Sequence, residues 1–152
     1  MASALLVDSN VLVYAMDRGE PNKRARAARL VDELRTAGNA AISTQILAEF
    51  FSASTRRLRH PLAPGDAMRM LATLADTFTV CEVTLSIVLE AARGAAEHQM
   101  SYWDAQVWAT AKLNQIPVVL SEDLQGWKSL EGVRFLNPFA DGFELPATFG
   151  RR

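Results

Sequence analysis

Four carboxylates, Asp8, Glu49, Asp104 and Asp123, are spaced so that an α/β fold would gather them into one pocket. Asp8 closes the apolar run Ala4-Leu5-Leu6-Val7, and Asp123 follows Val118-Val119-Leu120 by a short polar step. Acids leaving buried strands at their carboxyl ends stand where open parallel sheets build their sites. Like charges crowded into one cleft repel unless protons or cations neutralise them. A hard divalent ion, Mg2+ or Mn2+, is the simplest occupant of such an all-oxygen site. Metal-assisted phosphodiester hydrolysis is the simplest chemistry for it.

Each acid also has a plainer reading. Asp8 and Asn10, two residues apart, are of the types that cap a following helix. Glu49 lies on a helical pattern whose buried stripe runs through Ile46, Phe50 and Ala53; it projects onto the flank carrying Gln45, Ser52 and Arg56, where a solvated glutamate would also be at home. Asp104 opens a helix rich in alanine and bulky apolar residues, and an acid in a first turn gains from the helix dipole. Ser121-Glu122-Asp123 has turn chemistry, and the side chain of Glu122 is expected to point away from that of Asp123. No Ser-His or Cys-His pair offers a protein nucleophile, and His60 and His98 read as surface or helix-end residues.

The elements that must position these acids alternate in type. Short aliphatic or β-branched runs are separated by longer helical patterns, as in βαβ units around a parallel sheet. Strands are expected near Ala4–Val7, Ala40–Ser43, Phe78–Cys81, Pro117–Leu120 and Val133–Phe135. Helices are expected near Asn10–Met16, Lys23–Ala37, Gln45–Leu58, Pro64–Asp76, Leu85–His98 and Trp103–Asn114. Gly38-Asn39 has terminator chemistry, Pro64 suits a first helical turn, and Thr84 and Ser101 suit N-caps, Ser101 pairing with Asp104. The 152 residues, 49% apolar and 22% charged, suit one globular domain. No apolar run reaches the roughly 20 residues of a membrane span, and no secretory signal is visible. The single cysteine, Cys81, reads as a small core residue, and a cytoplasmic location is expected. The stretch after Asn137, with Pro138, Gly142, Pro146 and Gly150, reads as an irregular tail over residues 137–152. A net charge of −1 gives no global pull towards nucleic acid, so binding a polyanion would need a local basic patch.

The ordered set of segments resembles the PIN-domain family of metal-dependent ribonucleases, and more closely the VapC-like toxins of type II toxin–antitoxin pairs. The matching stretches are Leu6-Val7-Asp8-Ser9-Asn10, Ser43-Thr44-Gln45 leading to Glu49, Ser101-Tyr102-Trp103-Asp104-Ala105, and Leu120-Ser121-Glu122-Asp123. The resemblance implies one PIN-like domain over residues 1–152, a three-layer α/β/α fold with a mostly parallel sheet of four to five strands. It implies an Mg2+-dependent endoribonuclease, with Mn2+ as a possible substitute. Asp8, Glu49, Asp104 and Asp123 would be the metal-site and catalytic acids, Asp8 and Asp104 central and the other two on either side. Asn10 and Ser121 would be polar supports. The resemblance further implies a homodimer and a cognate antitoxin covering the cleft; Leu12, Tyr14 and Met16 are candidates for that surface, although core packing is the commoner use of such residues. For RNA phosphates the candidates are Arg56, Arg57 and Arg59, with His60, at the end of the Glu49 helix; a second set is Lys23, Arg24, Arg26 and Arg29. Two other readings stand beside this one. In the first, Asp8 is the nucleophile of an aspartyl-phosphate phosphotransferase or phosphatase, although Asn10 replaces the expected second acid and Lys112 and Lys128 are poorly placed for phosphate. In the second, the chain is a non-catalytic metal- or partner-binding module.

Overall fold

The computed structural model describes residues 3–124, 126–147 and 149. In chain order the elements are β1 (Leu5–Val7), α1 (Ser9–Tyr14), α2 (Pro21–Ala37), β2 (Ala40–Ser43), α3 (Thr44–Arg56), α4 (Pro64–Thr77), β3 (Thr79–Cys81), α5 (Leu85–His98), α6 (Tyr102–Leu113), β4 (Val118–Leu120), β5 (Ser129–Leu130) and β6 (Val133–Leu136). The sheet runs β3-β2-β1-β4-β6-β5 and is parallel except for β5, which pairs antiparallel with β6. Helices cover it in a three-layer α/β/α arrangement. The expected four to five strands are therefore six. The addition, β5, has only two residues, too few to show any periodicity in the sequence.

The central strands β1, β2 and β4 are buried at every position, as strands with helices on both faces must be. From β1 the chain first winds towards β2 and β3, then returns to lay β4 on the other side of β1. That reversal opens a crevice beyond the carboxyl ends of β1 and β4. The Asp8 amide donates to the Leu120 carbonyl at 2.9 Å, so the ladder runs up to the acid itself.

Local chemistry sets the helix ends. Ser43, Thr84 and Ser101 cap α3, α5 and α6 by accepting from the Ile46, Ile87 and Asp104 amides. Gly38 closes α2 with a φ of 70°, a left-handed conformation that glycine adopts without strain. α6 is buried from Ala105 to Ala111 and carries Trp108, which is fully enclosed. Opposite it on α5 is Gly94, where a Cβ would stand 2.9 Å from Trp108 Cε3 and closer still to Cζ3. The two helices approach closely because that position has no side chain. Trp108 Nε1 donates to the Leu130 carbonyl at 3.1 Å, and Arg93 and Lys112 bridge Glu90 and Glu131, tying the β5–β6 hairpin to α5 and α6. Hydrogen bonds from Arg93 and Lys112 hold the Glu90 carboxyl down at about 2, and those from His98, Arg93 and Lys112 do the same for Glu131. His98 stands at the end of α5 with Nε2 2.8 Å from Glu131, a helix-end place as expected.

Residues 137–147 form neither helix nor strand, and Phe139, Phe143, Leu145 and Phe149 rest against the core. The rest of the expected irregular tail, residues 148 and 150–152, lies outside the described residues. Leu12 is 2% exposed and belongs to the core, the commoner of its two expected uses, and so is not part of a partner surface. Tyr14 and Met16 are only partly buried. Cys81 is buried as a small core residue. Among the described residues no helix is long and apolar enough to cross a membrane.

Candidate active site

Asp8 occupies the turn from β1 into α1 and is 5% exposed. Its Oδ1 accepts from the Ser9 amide at 2.8 Å, and its Oδ2 accepts from Ser121 Oγ at 2.7 Å and Asn10 Nδ2 at 3.3 Å. Burial pushes its carboxyl up to about 6 against these hydrogen bonds, and the nearby charges of Glu49 and Asp123 push the same way. Capping α1 is thus part of its role, but a residue selected only to cap a helix gains nothing from a buried charge facing two other acids.

Glu49 stands on α3, one turn beyond Gln45. Ser9 Oγ donates to its Oε2 at 2.8 Å, and Gln45 Nε2 donates to its Oε1 at 2.9 Å. The same Gln45 amide group donates to the Trp103 carbonyl at 3.1 Å, and Gln45 Oε1 accepts from Gln106 Nε2 at 3.0 Å. Gln106 in turn accepts from the Tyr102 hydroxyl at 2.7 Å. This chain of amides ties Glu49 to the start of α6, where Asp104 lies in the first turn. Asp104 is half-buried; burial raises its carboxyl above the usual range, with Asp123 and Glu49 adding to the effect and Ser101 opposing it.

Asp123 is exposed on the segment after β4. Asn10 Nδ2 donates to its Oδ2 at 3.2 Å and to Ser121 Oγ at 3.0 Å, while Asn10 Oδ1 accepts from the Glu122 amide at 3.2 Å. One asparagine side chain therefore clamps the β4 exit to the β1 exit, and Ser121 joins Asp8 to the Asp123 amide at 3.1 Å. Glu122 faces away from the acids, as expected, and pairs with Lys23 at 2.7 Å. That bridge pins the Asp123 segment to α2.

All four acids line one cleft of about 720 Å3, together with Ser9, Gln45, Trp103 and Arg57. Arg57 is the one cation among the described lining residues, so the wall carries four acids against a single positive charge. Of the expected phosphate-binding arginines, the structure brings only Arg57 into the cleft. Arg56 is exposed on the last turn of α3, and Arg59 stands beside Gly19. In the second basic set, Lys23 is engaged by Glu122 and Tyr14, and Arg26 donates to the Phe139 carbonyl at 2.8 Å. No described lysine lines the cleft, and Lys112 is held by Glu90 and Glu131, which leaves the aspartyl-phosphate reading without its phosphate-binding lysine.

Among the described residues no three or more His, Cys, Asp or Glu side chains form a ready-made metal cage. The acids share a cleft but are held by Ser9, Gln45, Ser121 and Asn10 instead of closing on one point. The chemistry of the donor set, oxygen throughout and strongly under-compensated in charge, fits a hard divalent ion. Sequence reasoning gave no role to Ser9, Gln45, Gln106 or the Lys23–Glu122 bridge. Gln106 carried a visible signal: it is a polar residue two positions after Asp104 on an otherwise apolar helix. Gln45 carried another, lying one helical turn before Glu49 on the same flank.

An α/β domain with an acidic cleft at its topological switch point is the class that fold and geometry define. The family model described as PIN domain matches residues 5–131, and the chain belongs to the PIN-domain family. Comparison with curated proteins finds no match. Among solved structures, the fold is similar to that in a toxin–antitoxin complex from Klebsiella pneumoniae, at 18% identity and a TM-score of 0.66, covering 89% of this chain and 98% of that one. It is similar to DNA-bound VapBC from Salmonella typhimurium, at 15% identity and a TM-score of 0.67, covering 91% and 99%. It is also similar to a Mycobacterium tuberculosis VapC described as a sarcin–ricin-loop-cleaving toxin, at 20% identity and a TM-score of 0.63, covering 86% and 98%.

Proposed function

We propose that this protein is a metal-dependent endoribonuclease and the toxin component of a toxin–antitoxin pair. The observation that carries the reading is the convergence of Asp8, Glu49, Asp104 and Asp123, from four separate segments, on one cleft with a single balancing cation. Asp8 and Asp104, whose carboxyls burial has raised, together with Glu49 and Asp123 would hold Mg2+ or Mn2+. When bound, such an ion supplies a more acidic water and charge neutralisation at the leaving oxygen.

The chain's own residues do the positioning. Ser121 and the Ser9 amide fix both oxygens of Asp8, while Ser9 Oγ and Gln45 fix both oxygens of Glu49. Asn10 sets the distance between the β1 and β4 exits. Arg57 offers the phosphodiester a guanidinium on the otherwise acidic wall. A homodimer and a cognate antitoxin belong to the same reading, supported by neighbours of the same fold that are toxin–antitoxin complexes.

The test is cleavage of RNA by purified protein with Mg2+, Mn2+ or chelator, set against Asp8→Asn. Metal-dependent cleavage lost in the variant supports the reading. Metal binding without turnover favours a non-catalytic module, and equal cleavage by variant and wild type points to a contaminant.

A further inference from the structure

The cleft has one large apolar feature that its acids do not account for. Trp103 is 62% exposed, yet it lies at the lip of the cleft next to Asp104 and lines the same wall as the acids. A lone exposed tryptophan on a convex surface would need no explanation. This one is held in register with the site. Its carbonyl accepts from Gln45 Nε2 at 3.1 Å, and the same amide group donates to Glu49 Oε1 at 2.9 Å, so indole and acid are referenced to one buried side chain. Tyr102 stands edge-on to the ring, with centroids 5.1 Å apart and planes at 79°, and its hydroxyl is anchored on Gln106. The ring is thus braced by Tyr102 while it stays largely exposed and lines the cleft. Arg57, on α3, supplies an anion contact in the same cleft.

We propose that Trp103 is a stacking platform for an unpaired nucleobase flanking the phosphate that the acids address. The inference rests on the nuclease reading above and adds to it a residue-level contact: Trp103 meets a base that is unpaired and free to turn out. Aromatic stacking suits that task because every base offers a flat π-face, whereas a base inside a duplex has both faces covered. An indole can select for single-stranded or looped substrate without reading a sequence. The cleft's charge gives the complementary half of the argument. Its acidic wall, with Arg57 as the one lining cation among the described residues, leaves few ionic contacts for a flanking nucleotide, and Trp103 is the large side chain placed to provide a contact of another kind.

The experiment uses the full chain carrying Asp8→Asn, so that binding is read without turnover, and a short fluorescein-labelled RNA either single-stranded or fully paired with its complement. Affinities are measured by fluorescence anisotropy. Trp103→Ala is expected to weaken single-strand binding roughly 5- to 100-fold, Trp103→Phe to weaken it less, and neither to change duplex binding. Because the Gln45 contact is to the Trp103 main chain, it survives both substitutions, and thermal unfolding confirms that the fold does. In protein with Asp8 intact, Trp103→Ala should raise KM and leave kcat at saturation nearly unchanged. An RNA made abasic beside the mapped cleavage point should lose about the same factor on wild type and nothing further on Trp103→Ala. Unchanged single-strand affinity in Trp103→Ala, or equal losses on single strand and duplex, overturns the inference while metal-dependent cleavage still supports the nuclease reading. A Trp103-dependent preference for single strands in a protein that cleaves nothing supports the platform and overturns the hydrolysis.

Discussion

Replacing Asp8 by asparagine should shift stability progressively in the variant's favour as pH rises. Burial raises the Asp8 carboxyl from 3.8 to about 6 in the folded protein. The folded state therefore favours the neutral acid by about 3 kcal/mol relative to the unfolded chain. The folded pKa is the higher one, so this contribution is fully present below pH 3.8 and is lost as pH climbs through about 6. Asparagine is isosteric and has no charge to bury. It also carries an amide where Asp8 Oδ2 now accepts from both Ser121 and Asn10, and one mispaired donor there costs about 1–3 kcal/mol. That second effect is independent of pH and cancels in the comparison that matters. Urea denaturation of both proteins in EDTA, at intervals from pH 4 to pH 7.5, should show the variant gaining about 2–3 kcal/mol on wild type across the range. A constant difference over that range would refute the reasoning, because it would mean that the Asp8 carboxylate is not penalised by its surroundings.

Three further outcomes follow from named contacts. Gly94→Ala forces a methyl group into the Trp108 ring, which is fully enclosed and hydrogen-bonded to Leu130. Overpacking of this kind costs about 1–3 kcal/mol against the roughly 0.5–1 kcal/mol by which alanine improves a helix, and calorimetry should show a lower unfolding midpoint; an unchanged or raised midpoint would deny the close approach of α5 and α6. Arg57→Gln should flatten the salt dependence of RNA binding by roughly 0.7–0.9 in the log–log slope, while Arg56→Gln, outside the cleft, should leave the slope alone; equal effects from both would deny the assignment of the phosphate contact. Glu90 and Glu131 have folded values near 2, below their ordinary 4.5, so the stability they lend is present above pH 4.5 and lost as pH falls towards 2. Arg93→Gln should accordingly cost stability at neutral pH and progressively less on acidification, with a smaller difference in high salt; a difference independent of both would remove the ionic account of that hairpin tether.

The positions of Asp8 and Asp123 were legible in the sequence because strand ends are, whereas Glu49 and Asp104 lie on α3 and α6. Ala4-Leu5-Leu6-Val7 and Val118-Val119-Leu120 are apolar throughout, and the polar residue that ends such a run is carried to the rim of a parallel sheet. The caps at Thr84 and Ser101 were legible for a related reason, since capping is chemistry between residues three apart. What sequence alone could not resolve depends on contacts between distant segments or on small changes of backbone angle. Arg56 and Arg57 are one such case. A helix extended to Leu58 puts Arg56 on the Glu49 flank, but α3 ends at Arg56, and it is the C-cap residue Arg57, its amide still bonded to the Ala53 carbonyl, that lines the cleft. The pairing of Gln45 with Gln106 spans 61 positions and has no local signature beyond two polar residues on buried faces. Leu12 is another: its place in a short helix allowed either a core or a partner surface, and the closeness of α1 to α2 and α3 decided for the core.

The central claim is that the four acids are held together, against their mutual repulsion, for a divalent cation. Isothermal titration of Mn2+ into the wild-type protein and into Asp8→Asn, without nucleic acid, tests it most directly. Mn2+ should bind wild type saturably at millimolar concentration or below, and the variant much more weakly or not at all. No heat of binding to wild type in that range, or the same isotherm from both proteins, would contradict it.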